Sequence, residues 1–567
     1  MTKTASVHIP EPVLDADEIQ GNIVPGFNKP HQTYIGLRID DVAAARKFLR
    51  LLAGEISSMA TVMRDRLEFR RLRDAIGEDR LTAGDKRSLA QRRDQLHINV
   101  SFSYEGLRKL TPEAQSFQSD AFRQGLIERS PMLGDPTSSD DPGSPRNWVV
   151  GSPGKVPDML VIIASDVVPR GQERVAQMLK DTESFGLSVL YKETGSVLPG
   201  DLHGHEQFGF HDNVSQPGVR GKVQLPEGEM YVQPRAIASS EVPDHLLYGY
   251  PGQDLVWPGE FILGYPTQTP DPLVRGPIES PQPPWAKNGS FVVFRRLRQD
   301  VQLFWDVMAK EAERLAKQPG FSNMTQVRLA AMLVGRWPSG APFARVPEGD
   351  NPALGNDSLA NNHFRYDAPT CPVTLARGHK DEYPNAKADP IGLVCPMAAH
   401  IRKVNTRDSA NDDGGTVGTY VRRIIRRGLP FGAPLVRSIG PDGVELDPVD
   451  REGQSRAAVH RRGRLHRGSV RVPPQPLDEQ PRRAAQPQRR RRVHRPQRQR
   501  RPGARPRGHP LRLRPASRQG RHERPVDRPH RRRLLLHPLH LRHPRRPRRR
   551  LTLSGQAYSS ETVSSSL

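Results

Sequence analysis

Residues suited to acid–base and metal chemistry cluster in one stretch, DLHGHEQFGFHDNVSQPGVRG at 201–221. His203 and His205 are two positions apart, so on a strand they would share a face, and with Asp201 or Glu206 they could bind a metal ion. A His-x-His pair without a third ligand at a fixed spacing is more often formed by ordinary surface or core histidines. The stretch therefore leaves two alternatives open, a metal site and a pair of unspecialised histidines.

Three further residues have chemistry suited to a bulky planar ligand. Asp212 lies in the aromatic and glycine-rich run FGFHD, which indicates close approach of the backbone to something flat; taken alone it would be a turn aspartate. His400 follows two small residues, Ala398 and Ala399, that leave room for such a ligand, and a neutral imidazole is a common axial ligand of haem iron. Arg426 lies beside a Gly-Leu-Pro turn. The plain alternatives are a helix-terminal histidine and a surface arginine.

The elements before residue 200 must position these side chains, and their apolar periodicity predicts the order β-α-β-β-α-β. Strands are predicted at Thr33–Ile39, Leu96–Tyr104, Met159–Ala164 and Val189–Lys192, and helices at Val42–Met59 and Gln172–Leu179. This order is typical of a ferredoxin-like sandwich, in which helices cover one face of an antiparallel sheet.

The second half begins the same pattern again. Gly289–Leu297 is a predicted strand, an apolar stripe from Val301 to Leu315 is a predicted core-facing helix, and Ile424–Phe431 is strand-like. The pattern then stops near Arg456. We therefore predict an α+β fold with two ferredoxin-like halves, at 1–200 and 201–456, of which the second is incomplete.

The net charge of +24 for 567 residues lies entirely in a tail at 457–567. This tail holds 32 Arg, no Lys and 5 acidic residues, a net charge of +27, so that residues 1–456 carry −3. It also lacks Phe, Trp, Met, Ile and Asn, and we expect it to be disordered because it cannot bury enough apolar surface. Three interpretations remain: a solvated linker, a nucleic-acid-binding arm, and a GC-rich gene read out of frame.

The genetic code tests the third interpretation. A shift of one base makes residues 464–481 compatible with VASIEDQFEFLLNRWMNNP, residues 530–543 with TGGGYFFTPSISAI, and RAAVH at 456–460 with the start of RGLLFI. The same shift thus produces amphipathic, aromatic-bearing sequence three times from a segment that has none. We interpret the tail as the product of a frame change near Arg456, which makes nucleic acid an improbable partner despite the charge.

Composition bears on three further classes of protein. Cys371 and Cys395 match no metal-site spacing and are predicted to be buried thiols. No apolar run reaches the roughly 18 residues that a membrane span needs, so we predict that the chain does not cross a membrane. The N-terminus shows neither a signal-peptide h-region nor a twin-arginine pair, which favours a cytoplasmic location.

Several stretches, in order, resemble the dye-decolourising peroxidase family over nearly all of residues 1–456. The shifted-frame strings above also look like that family's closing segments. The matching stretches are DEIQGNIVPGF (17–27), EQFGFHDNVSQP (206–217), GEFILGYP (259–266), GRWPSGAP (335–342), CPMAAHIRKVNTRD (395–408) and RRGLPFG (426–432).

The resemblance implies two ferredoxin-like halves of the dimeric α+β barrel type, with one haem b in the C-terminal half. By motif, His400 looks like the proximal iron ligand, Asp212 like the distal carboxylate of the GxxDG signature, and Arg426 like the distal arginine. Asn213 replaces the final glycine of that signature, and asparagine tolerates a left-handed backbone better than most residues. Thr406 stands where NPRD is usual, a minor change in a turn.

The function implied is a haem peroxidase that uses hydrogen peroxide to oxidise bulky phenolic or dye-like reductants. Because the second half is incomplete, we expect haem retention to be impaired. The alternative is a non-catalytic truncated domain whose Arg-rich tail binds nucleic acid or acidic surfaces. The physiological substrate and the oligomeric state are left open.

Overall fold

The structure is a computed structural model that describes residues 10–77, 80, 82–233, 249–269, 277–279, 282–368, 382–409, 415–441, 443–447 and 456–462. All of these belong to one compact unit. The predictions for Cys371 and for the tail beyond Arg462 lie outside the described residues.

The first half forms a four-stranded antiparallel sheet of ferredoxin-like order. Its strands are β1 (His31–Ile39), β2 (Leu96–Phe102), β3 (Met159–Ser165) and β4 (Leu187–Ser196). Their order across the sheet is β2-β3-β1-β4, with Ile35 of β1 opposite both Val161 of β3 and Lys192 of β4. The central strand β3, MLVIIAS, is buried along its whole length, as its continuous apolar run requires.

Helices α1 and α6 cover one face of this sheet. The α-helices of this half are α1 (Val42–Ala53), α2 (Met59–Gly77), α3 (Ala83–Asp94), α4 (Tyr104–Leu110), α5 (Asp120–Arg129) and α6 (Val168–Ser184). Phe48 of α1 and Met178 of α6 are buried in one core with Leu37 and Val161 of the sheet. Asp41 begins α1, because its carboxylate accepts the N–H groups of Ala43 and Ala44.

The helix predicted over Val42–Met59 exists but its predicted end is wrong, because α1 ends at Ala53 and α2 begins only at Met59. Helix α1 ends at Ala53, where the N–H of Gly54 bonds to the carbonyls of the last turn. A new helix starts at Met59 after Ser58, whose hydroxyl accepts the N–H of Thr61.

The second half contains a smaller sheet surrounded by helices and long loops. Its helices are α7 (Val301–Ala316), α8 (Gln326–Val334), α9 (Pro352–Asn356), α10 (His400–Val404) and α11 (Gly415–Tyr420), and its strands are β5 (Val292–Arg298), β6 (Ile425–Phe431), β7 (Val436–Gly440), β8 (Gly443–Leu446) and β9 (Arg456–Arg462). Strands β7 and β8 form a hairpin. The α7 stripe is buried as predicted, at Val301, Phe304, Trp305, Met308 and Ala312.

Shorter paired segments complete the framework. Val13–Leu14 pairs with Lys222–Leu225, which pairs with Gly228–Tyr231; Gly218–Val219 pairs with Leu255–Val256, and Thr267–Gln268 with Pro277–Ile278.

The three strands of the second sheet have the order β5-β9-β6. Strand β9 lies between the other two and is antiparallel to both, with Arg456 opposite Arg298 of β5 and Phe431 of β6. Residues 457–462, which the sequence placed in the disordered tail, therefore belong to the sheet. The reason is that β5 and β6 do not pair with each other directly, and β9 supplies hydrogen-bonding groups to both.

The two halves pack against each other at several points. Gly195 of β4 approaches β6 so closely that an added Cβ would lie 2.9 Å from the Cβ of Leu429. Phe294 of β5 stacks on Tyr34 of β1 with ring centroids 5.4 Å apart. The α+β fold predicted from the sequence is confirmed. In the parts of the chain described above, no helix combines the length and apolarity needed to cross a membrane.

Candidate active site

The structure brings together two of the three predicted site residues, Asp212 and Arg426, which are 214 positions apart. Nη1 of Arg426 donates a hydrogen bond to Oδ1 of Asp212 at 3.1 Å. The two side chains retain 25% and 18% of their surface accessible, so the pair lies in the interior but remains reachable by a small molecule.

Asp212 is presented by a tight loop built around the carboxylate of Glu206. The N–H groups of Phe208 and Phe210 both donate to this carboxylate at 2.9 Å, and the amide of Gln299 donates to it as well. The N–H of Asp212 itself donates to the carbonyl of Gly204 at 2.8 Å. The hydrogen bonds that Glu206 accepts thus fold the chain back and direct Asp212 toward β6.

The backbone next to Asp212 has the conformation that the sequence predicted. Asn213 adopts a φ of 60°, in the left-handed region that glycine favours and asparagine tolerates. Its N–H donates to Oδ1 of Asp212 at 2.6 Å. Asparagine therefore maintains the turn at the position where the family signature has glycine.

Burial raises the pKa of the Asp212 carboxyl, while the charge of Arg426 and the N–H of Asn213 oppose that rise. Burial also raises the pKa of Glu206 to about 8, against the hydrogen bonds that it accepts, and the nearby negative charge of Asp212 adds to the rise. The site thus holds two carboxyls that both take up protons more readily than exposed acids.

His400 is the first residue of α10, and it is buried, with 8% of its surface exposed. The loop before this helix is held by a buried ion pair in which Nη1 of Arg402 donates to Oδ2 of Asp389 at 2.9 Å. The same carboxylate accepts N–H groups from the run 393–395. Cys395 is buried, as predicted, and burial raises its pKa to about 12, so it remains a neutral thiol.

The segment 335–342 connects the helix of His400 with the loop of Asp212. At one end, a Cβ added to Gly335 would lie 2.4 Å from Ile401 in α10. At the other end, the carbonyl of Pro338 accepts the N–H of His211, and Gly340, with a φ of 93°, lies against the His211 imidazole. The stretch GRWPSGAP therefore fixes the two parts of the candidate site relative to each other.

Arg336 holds this connecting segment in place from within. It is 4% exposed and donates to the carbonyls of Gly340 and Asn361 and to the side chain of Asn362. Burial lowers its pKa to about 9, and the positive charge of Arg407 contributes. The only sequence signal for Arg336 is its place in the matching stretch GRWPSGAP.

The histidines at 203 and 205 do not form the face of a strand. His203 follows a single turn of 3-10 helix, and His205 forms an isolated β-bridge with His211, their rings stacked 5.2 Å apart. Glu206, the third ligand considered, is engaged by backbone N–H groups instead. Throughout the described part of the chain, no group of three or more His, Cys, Asp or Glu side chains is arranged to hold a metal ion.

Sequence reasoning missed one residue that contacts the Asp212–Arg426 pair. Gln216 bonds through its side-chain amide to the backbone of Arg426 and to the side chain of Asn213. The available signal was its place in the run DNVSQP, four positions after Asp212.

Comparison with known proteins agrees with this architecture. Residues 18–199 match the DyP dimeric alpha+beta barrel domain. The chain is 28% identical over 423 residues to dye-decolorizing peroxidase msp1 of Mycetinis scorodonius, an alignment that covers 74% of this chain and 65% of that protein. It is 27% identical to the multifunctional dye peroxidase DyP2 of Amycolatopsis sp., covering 73% of this chain and 71% of the relative. The chain thus spans slightly less than two thirds of the fungal relative.

Solved structures give the same result. The chain superimposes on an ancestral D-type dye decolorizing peroxidase with a TM-score of 0.55 and 28% identity, over 80% of each chain. It also superimposes on a fungal DyP-type peroxidase from Auricularia auricula-judae with a TM-score of 0.55 and 25% identity, over 80% of this chain and 82% of that one. The domain match over residues 18–199, the relatives and the shared fold together make this chain similar to dye-decolourising peroxidases along most of its length.

Proposed function

We propose that this protein is a haem-dependent peroxidase that uses hydrogen peroxide to oxidise bulky phenolic or dye-like molecules. The observation that carries the proposal is the Asp212–Arg426 pair, an acid with a raised pKa hydrogen-bonded at 3.1 Å to a permanently charged guanidinium. Two relatives carry the names dye-decolorizing peroxidase and multifunctional dye peroxidase, which supports a dye-like substrate.

The residues present fit a haem, the cofactor of dye-decolourising peroxidases, and we propose that it is haem b. His400 offers a buried imidazole next to Ala399, and the connecting segment 335–342 ties its helix to the loop of Asp212. We infer that His400 is the iron ligand. The bound haem would supply the iron that exchanges electrons with peroxide and with the reductant.

Asp212 would act on the proton of hydrogen peroxide. A base must take the proton from one peroxide oxygen and return it to the other, so that the second oxygen leaves as water. The raised pKa of Asp212 makes its carboxylate a stronger base than that of an exposed aspartate, so it takes up the peroxide proton more readily. Only the ionised form can begin the cycle, so activity is expected to fall as the pH drops below this pKa.

Arg426 would stabilise the negative charge that develops on the departing oxygen. A guanidinium stays charged at all working pH values and presents several fixed N–H donors. Nη1 faces Asp212, and Nη2 donates to the carbonyl of Ser215 at 3.0 Å. The group is thereby held in place before peroxide arrives, which is the arrangement that electrostatic catalysis needs.

The test is to purify the chain with haem and measure its absorbance and its peroxide-dependent oxidation of a phenol and of an anthraquinone dye. Asp212→Asn and Arg426→Leu are expected to retain haem and lose turnover, whereas His400→Ala is expected to lose haem. Turnover unaffected by both distal substitutions would refute the proposal. Salt-sensitive binding to nucleic acid without haem would instead favour the truncated, non-catalytic alternative.

The matched control is the same gene with its reading frame restored near codon 456. We propose that the chain as printed retains less haem than this control, because the frame change removes elements of the second half. Equal haem content and an equal melting temperature in the two proteins would contradict that proposal.

A further inference from the structure

Gln216 lies between the two residues proposed to act on peroxide without being one of them. From its contacts we propose that Gln216 is a positioning residue, whose side-chain amide sets the separation and orientation of Asp212 and Arg426. The inference rests on the proposed function and adds a residue to its machinery.

The amide of Gln216 pairs with the main chain of Arg426. Its Oε1 accepts the N–H of Arg426 at 3.1 Å, and its Nε2 donates to the carbonyl of Arg426 at 3.3 Å. In an antiparallel sheet, two directly opposite residues of a hydrogen-bonded pair exchange one N–H···O bond in each direction, and the Gln216 amide makes the same two bonds with the backbone of Arg426. Strand β6 is at the edge of its three-stranded sheet in the described residues, so Gln216 satisfies main-chain groups that face away from β9.

The same amide also holds the turn that carries Asp212. Its Nε2 donates to Oδ1 of Asn213 at 2.9 Å, and the N–H of Asn213 in turn donates to Asp212. One side chain thus connects the backbone of Arg426 to the residue that follows Asp212.

The guanidinium of Arg426 closes the arrangement from the other direction. It donates to Asp212 through Nη1 and to the carbonyl of Ser215 through Nη2. The loop 212–216 therefore wraps around Arg426, touching its main chain with one side chain and its guanidinium with two groups. The carbonyl of Gln216 itself accepts a hydrogen bond from the side-chain amide of Gln253 at 3.1 Å.

Only an amide of this length provides these contacts, because the position needs one acceptor and two donated bonds at once. A carboxylate would accept only and would compete with Asp212 for the guanidinium, and an aliphatic side chain would make none of the bonds. Without the amide, the two bonds between this loop and the Arg426 backbone are lost, which lets Asp212 and Arg426 shift relative to each other. A displacement of about 1 Å between reacting groups costs up to about a hundredfold in rate.

The consequence can be read from the titration of Asp212. The charged groups that face this carboxyl are Arg426 from β6 and Glu206 from its own loop. The guanidinium lowers the pKa of Asp212 against the rise that burial causes. A guanidinium that is no longer aligned would lower it less, so loss of Gln216 should move the titration of Asp212 to higher pH.

The experiment uses Gln216→Leu, which keeps the side-chain volume and removes the amide, and Gln253→Leu as the matched control. Gln253 contacts the same loop but touches neither Asp212 nor Arg426 through its amide. In the haem-loaded chain, Gln216→Leu is expected to lower the rate with peroxide on the order of tenfold to a hundredfold. It should also move the acidic limb of the pH–rate profile upward, while Gln253→Leu moves neither.

A second readout needs no turnover. In the haem-free chain, the unfolding free energies of the unsubstituted protein and of Asp212→Asn are measured across a range of pH. The midpoint of the pH range over which their difference changes reports the pKa of Asp212. Measured again in the Gln216→Leu background, its midpoint should lie at higher pH. An unchanged midpoint in a folded Gln216→Leu protein, or an equal shift with Gln253→Leu, would overturn the inference. If the midpoint moves but Asp212→Asn leaves peroxide turnover intact, the positioning role stands and the proposed function fails.

Discussion

Replacement of Asp389 by Asn tests whether a buried ion pair supports the helix of His400. The carboxylate of Asp389 and the guanidinium of Arg402 are 2.9 Å apart, and their side chains are 4% and 1% exposed. The carboxylate also accepts the N–H groups of Leu393, at 2.6 Å, and Cys395, at 2.9 Å. An amide of the same shape retains one acceptor, removes the charge, and turns an N–H group toward existing donors.

The expected loss follows from the burial of both partners. Removing one member of a buried ion pair leaves an uncompensated charge and typically costs about 3–5 kcal/mol. A loss of about 3 kcal/mol raises the ratio of unfolded to folded protein more than a hundredfold. Because Arg402 lies in the same helix as His400 and bonds to the loop before it, we also expect weaker haem binding.

Urea denaturation of the haem-free chain, followed by circular dichroism, measures the first effect, and haem titration measures the second. Glu311→Gln is the matched control, because Glu311 and Arg314 form an ion pair with a similar short distance, 2.6 Å, but side chains 38% and 58% exposed. Exposed pairs contribute little, so no measurable change is expected there. The reasoning is refuted if Asp389→Asn is as stable as the control. A destabilised protein with unchanged haem affinity would separate the ion pair from the placement of His400.

Three further substitutions have expected outcomes. Arg426→Leu should lower kcat/KM for peroxide on the order of a hundredfold. It should also shift the acidic limb of the pH–rate profile to higher pH, because Asp212 loses the positive charge that lowers its pKa, and an unshifted limb would contradict this. Gly340→Ala and Gly320→Ala both place alanine at a positive φ, 93° and 85°, at a cost of about 1 kcal/mol each. Only the first also brings a Cβ to 3.0 Å from the His211 imidazole, so urea unfolding should show a larger loss of unfolding free energy for Gly340→Ala. The folded chain keeps the proton of Glu206 between its ordinary pKa near 4.5 and its raised pKa of about 8. Protonated Glu206 therefore stabilises the folded chain at low pH, and this stabilisation is lost as the pH rises through that range. Glu206→Gln should remove this pH dependence of the unfolding free energy in urea unfolding measured from pH 5 to 8.

Much of the first half was predictable, because its signals are local. The alternation in β2 and the continuous apolar run of β3 identify strands from a few neighbouring residues, and the β-α-β-β-α-β order then limits the topology. The errors lie where local patterns are ambiguous. The apolar spacing of α1 continues past Ala53, and only the closing hydrogen bonds at Gly54 show that the helix ends there.

The candidate site was predictable as a set of residue types but not as an arrangement. Asp212, His400 and Arg426 were identified from motifs, and the left-handed turn at Asn213 was expected from the glycine that the family signature has at this position. Gln216 was not identified, because an exposed-looking glutamine in a loop gives no sign that its partner is a strand 210 residues away.

The sequence by itself determined the strands of the first sheet, where the charge lies and which side chains have suitable chemistry, since propensity, periodicity and composition depend on near neighbours. The tertiary structure alone decided that Glu206 accepts backbone N–H groups, that β9 enters the second sheet, and that Asp212 meets Arg426. Those outcomes depend on contacts between residues distant in sequence, and on the burial that such contacts create. Burial also sets the pKa of a carboxyl, so the acid–base character of Asp212 and Glu206 exists only in the folded chain.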